Sequence, residues 1–468
     1  MPRKNHRKAR EVKDKDNEDG EETKVNSGLT PLKSTAKSRE GLWMSKLTYD
    51  KIFGHLVKYA YEGRLAEGIR ELNPYGDEGL NEYIKYASGG GNPEKVVFHV
   101  GRCLADEGCR ENKCQVACLF QAIERDSAGN VVIKDDYCTG CGECVKVCSH
   151  EHLIDKKEFI PLVKILHEHK VPVYAIVAPA FIQQFGEQVT PGKLRMALKR
   201  LGFYGMVEVA LFADILSLKE ALEFDQHVKQ KGNFVLTSCC CPMWVAMIKK
   251  FYHQFVSHIS PSVSPMVACG RGVKKIHPEA KVVFIGPCIA KKAEAKEEDV
   301  RDAVDYVLTF QELSQIFAAV GIDPAAEKED PSEHSSAAGR MYAFTGGVSQ
   351  AVKDTLNRIR PEKEIKINAV QADGIRDCRN LLNRILINEI EANFYEGMGC
   401  IGGCVGGPKR NIAVEEGRKA AMRYSMAAES KTPADNLAVL KLLKSIGFQE
   451  IDELLRGEKS NLFKRVFD

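Results

Sequence analysis

Four cysteines in one short run constrain this chain more than any hydrophobic pattern does: Cys138, Cys141, Cys144 and Cys148 stand at C-x2-C-x2-C-x3-C. A tight loop with that spacing presents three thiolates to one iron-sulfur cubane, and the fourth thiol serves a partner cluster. Upstream, Cys103, Cys109, Cys114 and Cys118 form a second set, C-x5-C-x4-C-x3-C, ending in the same C-x3-C. Whatever fold residues 96–160 adopt must bring these thiols together around metal. The flanking stretches "KVVFHV" and "NVVIKD" read as short strands.

The first run is the bacterial ferredoxin pattern. By the pseudo-twofold of that fold, one 4Fe-4S cluster takes Cys138, Cys141, Cys144 and Cys118. The other takes Cys103, Cys109, Cys114 and Cys148. The proline that usually follows the last cysteine is missing from both runs, with Leu119 and Ser149 in its place. A zinc ribbon, which also uses four thiolates, is the alternative; eight cysteines with two C-x3-C ends fit two cubanes better.

The chain has sixteen cysteines and 44% hydrophobic content, with a formal charge of only +3 from 67 basic and 64 acidic residues. That balance gives no overall field toward nucleic acid or a membrane surface. No apolar stretch reaches the length of a membrane span, and the N-terminus lacks the apolar core of a secretory signal. The expectation is a cytoplasmic protein, in which clustered thiols bind metal rather than pair as disulfides.

Residues 1–40 are charge-dense and read as a disordered tail. Residues 41–95 carry Phe53, Leu56, Val57 and Ala60 at helical spacing and end at "SGGGNPEK", which reads as a helical segment. Beyond about residue 160, strands alternate with amphipathic helices. The strands are "VPVYAIVAPA", "GMVEVA", "GNFVLTSC", "KVVFIGPC", "MYAFTGG" and "IKINAVQ". This is an α/β layer pattern with parallel strands, and sites in such sheets form where strand ends meet loops.

Three cysteine motifs fall there: "TSCCCPMW" at 237, "GPCIAKKAEA" at 286 and "EGMGCIGGCVGGPKR" at 396. In order and spacing the trio resembles the signature loops of the FeFe hydrogenases, and with the ferredoxin run the resemblance covers about residues 96–415. It implies a catalytic domain over 161–468, built of two lobes with mixed, mostly parallel sheets flanked by helices. A ferredoxin-like α+β domain with two 4Fe-4S clusters would precede it over 96–160.

The resemblance also implies a cofactor and its ligands. The H-cluster, a 4Fe-4S cubane joined to a diiron unit carrying CO, CN and a dithiolate, would be held by Cys241, Cys288, Cys400 and Cys404, with Cys404 bridging. Cys240 matches the thiol that relays protons. Lys291 matches the lysine that hydrogen-bonds a cyanide, Met398 a methionine near the diiron unit, and Pro179 and Ala180 the turn beside it. Glu220 and Glu223, three apart on one helical face, match the relay carboxylates, and Ser260 is a further relay candidate. A solvated helix face is the plain reading of the two glutamates. Cys239 is an extra: either a second proton-active or oxygen-responsive thiol, or a packed spare.

The chain departs from the family at several places. Gly286 replaces a methionine, leaving room or flexibility beside the cluster. Ala180 replaces a serine, "SPMV" at 264–267 lacks a glutamine, and the third loop is shortened. Cys269 and Cys378 read as core residues. "FTGGVSQAV" offers a weak phosphate-loop signal. The implied activity is reversible oxidation of dihydrogen, with a soluble ferredoxin as redox partner and dedicated maturation proteins. Two rivals stay open: a sensory hydrogenase of the same fold, and a hydrogenase-like iron-sulfur assembly protein without a diiron unit.

Overall fold

The computed structural model describes residues 47–101, 103, 112–127, 129–332 and 334–467, so the 1–40 segment and Cys109 lie outside the described residues. Three helices open the described chain, Tyr49–Tyr61, Leu65–Leu72 and Glu78–Ala87. Thr48 and Asp77 cap the first and third by accepting the amides of Lys51 and Leu80. The stripe Phe53, Leu56, Val57 and Ala60 is buried, together with Ile52. Thr48–Asp468 form one compact unit.

The cysteine-rich stretch is a doubled hairpin. Its strands are β1 (Val97–His99), β2 (Ile123–Arg125), β3 (Val131–Ile133) and β4 (Leu153–Asp155). β1 pairs antiparallel with β4, and β2 with β3. Two five-residue helices, Lys113–Ala117 and Glu143–Val147, complete it. Each starts after a left-handed residue, Asn112 (φ 47°) or Gly142 (φ 79°), and each ends on a cysteine. Those cysteines have nearly the same backbone, φ −83° and ψ 86° at Cys118 against φ −82° and ψ 92° at Cys148. The repeated C-x3-C is thus a repeated structure.

The rest is built on two parallel sheets. Their strands are β5 (Val173–Val177), β6 (Gly205–Glu208), β7 (Val235–Leu236), β8 (Lys281–Gly286), β9 (Tyr306–Thr309), β10 (Ala369–Asp373) and β11 (Phe394–Met398). One sheet runs β6-β5-β8-β9 and the other β10-β11-β7, with every pairing parallel. Runs such as "KVVFI" are apolar throughout because helices cover both faces. Among the described residues no helix is long and apolar enough to cross a membrane.

One expectation about strands is corrected. "MYAFTGG" is the end of the helix Ala337–Met341 and a turn, although its residues favour strands. Conversely, β11 is a strand whose residues are all buried, and its glutamate and glycine obscure that in the sequence.

A cluster of buried charge joins the doubled hairpin to the sheets. Lys292 Nζ donates to Asp155 (3.2 Å), to Glu312 (2.8 Å) and to the carbonyl of Lys156 (2.6 Å). Lys409 lies 3.0 Å and Lys157 3.5 Å from the same Asp155 carboxylate. Burial pushes that carboxyl up, but Lys157, Lys409 and Lys292 together hold it well below the usual carboxylate range.

Candidate active site

Each large-domain cysteine loop leaves the C-terminal end of a parallel strand, the position where α/β sheets place their sites. The first follows β7, the second β8 and the third β11. Ser238 takes a left-handed backbone (φ 66°), which turns the first loop so that Cys241 N donates to Ser238 O at 2.9 Å. Trp244, fully buried, donates Nε1–H to Thr237 O at 2.9 Å. A Cβ at Gly397 would lie 2.2 Å from the Trp244 ring, so the first loop's tryptophan packs flat on the third loop's glycine.

These loops bring Cys241, Cys288, Cys400 and Cys404 within mutual electrostatic reach. Burial pushes the Cys288 thiol up to about 12 and the Cys404 thiol up to about 11, and neighbouring thiols add to both. Cys400 is raised by the same causes. The raised thiols of Cys288, Cys400 and Cys404, gathered around Cys241, call for a positive centre between them, which is the donor chemistry of an iron-sulfur cluster. The backbone amide of Gly399 donates to Cys241 Sγ at 3.2 Å. Among the described residues, the buried oxygens Ser238 Oγ, Glu294 Oε1 and Thr345 Oγ1 find no hydrogen-bond partner. They lie on or against the cysteine loops, as expected for a pocket shaped around a polar group. The residues present fit an H-cluster.

Cys240 is buried, and after burial the neighbouring Cys404 does most to raise its thiol; Lys291 opposes. It packs in one cluster with Met398 and Cys241. Pro179 and Ala180 form a buried turn after β5. Lys291, 7% exposed, is ion-paired with Glu294. Gly286 corrects an expectation: the Phe284 ring already fills the space beside it, 2.6 Å from where a Cβ would stand, so the missing methionine leaves no gap there.

Glu220 and Glu223 lie on the helix Ala210–His227, where every residue from Phe212 to Phe224 is buried. A solvated helix face is thereby ruled out. Glu220 accepts from Thr237 Oγ1 and, at 3.3 Å, from Cys239 Sγ. Burial pushes its carboxyl up to about 7. Glu223 accepts from Ser260 Oγ at 2.6 Å and from Lys219 Nζ. So the thiol in hydrogen-bonding distance of Glu220 belongs to Cys239, and Cys240 stands one residue closer to the ligand thiols. Cys239 donates also toward Val263 O at 3.4 Å. Sequence reasoning missed Thr237, Lys219 and Ser262; only Lys219, four residues before Glu223, had a signal to find it by.

In the doubled hairpin, Cys118, Cys138, Cys141 and Cys144 line one cavity with Phe120 and Thr139. Ala122 N donates to Cys118 Sγ at 3.2 Å. Cys103, Cys114 and Cys148 belong to the same core cluster as Cys118 and Cys144. A Cβ on Gly142 would stand 2.4 Å from Ile289, next to Cys288, and Glu143 adds to the charge felt by Cys400. The first cavity therefore abuts the large-domain thiols.

The weak phosphate-loop signal is resolved by Glu396. Its carboxylate accepts the amides of Gly346 (2.7 Å) and Ser349 (2.8 Å) and the Ser349 hydroxyl (2.6 Å). The helix N-terminus that could have taken a phosphate is filled by a side chain of the third motif. Cys378 is core, donating to Met398 O at 3.3 Å.

This is the arrangement of an iron-sulfur domain with a buried polar chain behind its thiols. Residues 171–408 match the family described as iron only hydrogenase large subunit, C-terminal domain, and the chain belongs to that family. Iron hydrogenase 1 of Clostridium pasteurianum is 31% identical over 277 residues, 50% of this chain and 48% of that protein. The NADP-reducing hydrogenase subunit HndD of Solidesulfovibrio fructosivorans is 28% identical over 73% of this chain and 67% of its own length. The cytosolic Fe-S cluster assembly factor narfl of Xenopus tropicalis is also similar, 24% identical over 70% of this chain and 82% of its own. The chain thus spans about half of the first of these relatives. The fold resembles FeFe-hydrogenase HydA1 of Chlamydomonas reinhardtii, with a TM-score of 0.53 at 21% identity, covering 64% of this chain and 97% of that one.

Proposed function

We propose that this protein is an iron-iron hydrogenase, interconverting dihydrogen with two protons and two electrons. The H-cluster, when bound, supplies the metal site at which hydrogen is formed or split. Cys241, Cys288, Cys400 and Cys404 would hold it, and Lys291 would offer a cation to its anionic ligands. The Cys240 thiol carries the proton at the cluster. Cys239 and Glu220 continue its path, and Glu223 with Ser260 lead it outward. Cys118, Cys138, Cys141 and Cys144 would hold one 4Fe-4S cluster of the electron path, and by the sequence pattern Cys103, Cys109, Cys114 and Cys148 would hold another. A ferredoxin-like domain over 96–160, a soluble ferredoxin partner, maturation proteins and a cytoplasmic setting belong to the same reading.

The observation that carries it is the buried series of exchangeable groups behind Cys240: the Cys239 thiol on Glu220, and the Ser260 hydroxyl on Glu223. A cubane scaffold of the assembly-factor kind needs ligand thiols but no buried carboxyls that can exchange protons. Infrared spectra of anaerobically matured protein test the proposal. CO and CN bands that shift under hydrogen are expected. Their absence, when a control hydrogenase matured alongside shows them, would overturn the enzyme in favour of an assembly protein.

A further inference from the structure

The two relay carboxyls are not equivalent, and the difference has a single source. Lys219 has no solvent exposure. Its ammonium is ion-paired with Glu223 Oε1 and donates to Ser262 Oγ at 2.7 Å. The Ser260 and Ser262 hydroxyls lie 2.9 Å apart, and Ser260 closes the circuit on Glu223 Oε2 at 2.6 Å. Lys219, Ser262, Ser260 and Glu223 therefore form a closed ring of hydrogen bonds with one cation and one anion in it. Glu220, one turn of helix away, has only neutral donors, Thr237 and Cys239.

We infer that Lys219 is a positioning residue for proton transfer: it fixes Glu223 as the empty, anionic station and leaves Glu220 as the station that holds the proton. This deepens the hydrogenase reading and rests on it for its purpose, though not for its geometry. A buried carboxylate without a cation protonates, whereas one with a bonded ammonium stays charged. The chain has thus made an inner station that is loaded and an outer one that is vacant, so an outward proton finds an acceptor and an inward one a donor. The position of Glu220 near neutrality agrees with the loaded station.

Among the described residues, the other titratable groups facing this ring are few. Cys239 approaches from the first loop, and Tyr342 faces Glu220 from beyond the helix Ala337–Met341. Lys464 approaches from the C-terminal segment, which pairs with the serine loop through the Ser262↔Lys464 bridge. Burial and the charge of Lys219 lower Lys464, while Glu223 raises it. Lys464 instead donates to Leu455 O at 3.0 Å, so the cation bonded to Glu223 is Lys219.

Infrared difference spectra in the carbonyl-stretch region of protonated carboxyls, taken in water and heavy water on protein lacking the diiron unit, read the stations directly. At neutral pH the wild type should show a Glu220 band that Glu220→Gln removes, and no band that Glu223→Gln removes. Lys219→Met should add a second band, removed by Glu223→Gln in the double variant. Lys219→Arg should restore the wild-type pattern. If Lys219→Met does not fold, the double variant Lys219→Met, Glu223→Gln, which buries no orphaned charge, should fold and retain the Glu220 band. A Glu223 band already present in the wild type, or an unchanged spectrum in folded Lys219→Met, would overturn the inference. Matured Lys219→Met should also show the alkaline limb of its hydrogen-oxidation pH profile displaced. Loss of all wild-type activity with intact carboxyl bands would count against the hydrogenase reading and not against the loaded and vacant stations.

Discussion

The two cysteine-rich regions hold their thiols in opposite ways. In the doubled hairpin, loops and five-residue helices set between strands of three residues carry the thiols, and Cys103, Cys118, Cys138, Cys141 and Cys148 are only partly buried, as Cys241, Cys288, Cys400 and Cys404 are in the large domain. In the large domain, loops anchored on two parallel sheets hold the thiols, and Trp244 locks the first loop onto the third. A small region with little core of its own depends on its metal for folding free energy. A large one shapes its pocket beforehand.

The largest test of that contrast is cluster removal. Anaerobic chelation should abolish amide protection in β1 to β4 while leaving β5 and β8 protected, as read by hydrogen exchange. Equal loss in both regions would break the comparison. Next in size, Trp244→Ala should cost about 3–5 kcal/mol in unfolding free energy and loosen both the 237–244 and 396–404 loops, with the hairpin's iron content unchanged.

The smallest test sharpens the comparison through pH. Glu220 ordinarily titrates at 4.5 and in the folded chain at about 7, raised by burial. Between those values the folded state holds a proton that the unfolded state has lost. The stabilising contribution is therefore full below about pH 4.5 and is lost as pH rises through 7, amounting to roughly 3 kcal/mol. Glu220→Gln should flatten that decline in the large domain's denaturation profile and leave exchange in the hairpin unchanged. Asp214, also raised to about 7 by burial, is present in both proteins and cancels in the comparison.

Much of this was legible because thiol spacing is local chemistry. Two C-x3-C ends announce a duplication, and the duplicated backbone at Cys118 and Cys148 follows. Apolar runs at β5 and β8 read as buried parallel strands for the same local reason. What escaped depends on tertiary surroundings. Lysine reads as a solvent residue, and only a helix enclosed on all sides makes Lys219 an internal cation. Glu396 obscured β11, because a buried carboxylate makes sense only once the helix N-terminus it caps is in place. Phe284 closes the space that Gly286 opens, and a glycine alone does not disclose its neighbour.

Asp155 bears on how freely such a chain can be recombined. In sequence the metal-binding stretch looks like a cassette, fit to be exchanged for any other of similar length. Its last strand, however, ends in a carboxylate that Lys157, Lys292 and Lys409 surround, two of them contributed by the loops that hold Cys288 and Cys404. A graft carrying a neutral residue there would take from the buried Lys292 ammonium one of its two bonded carboxylates, leaving Glu312, at a cost of about 3–5 kcal/mol. Compatibility between donor and recipient is thus decided by one aspartate, and chimeras of this architecture should be chosen by that position before any cysteine is compared.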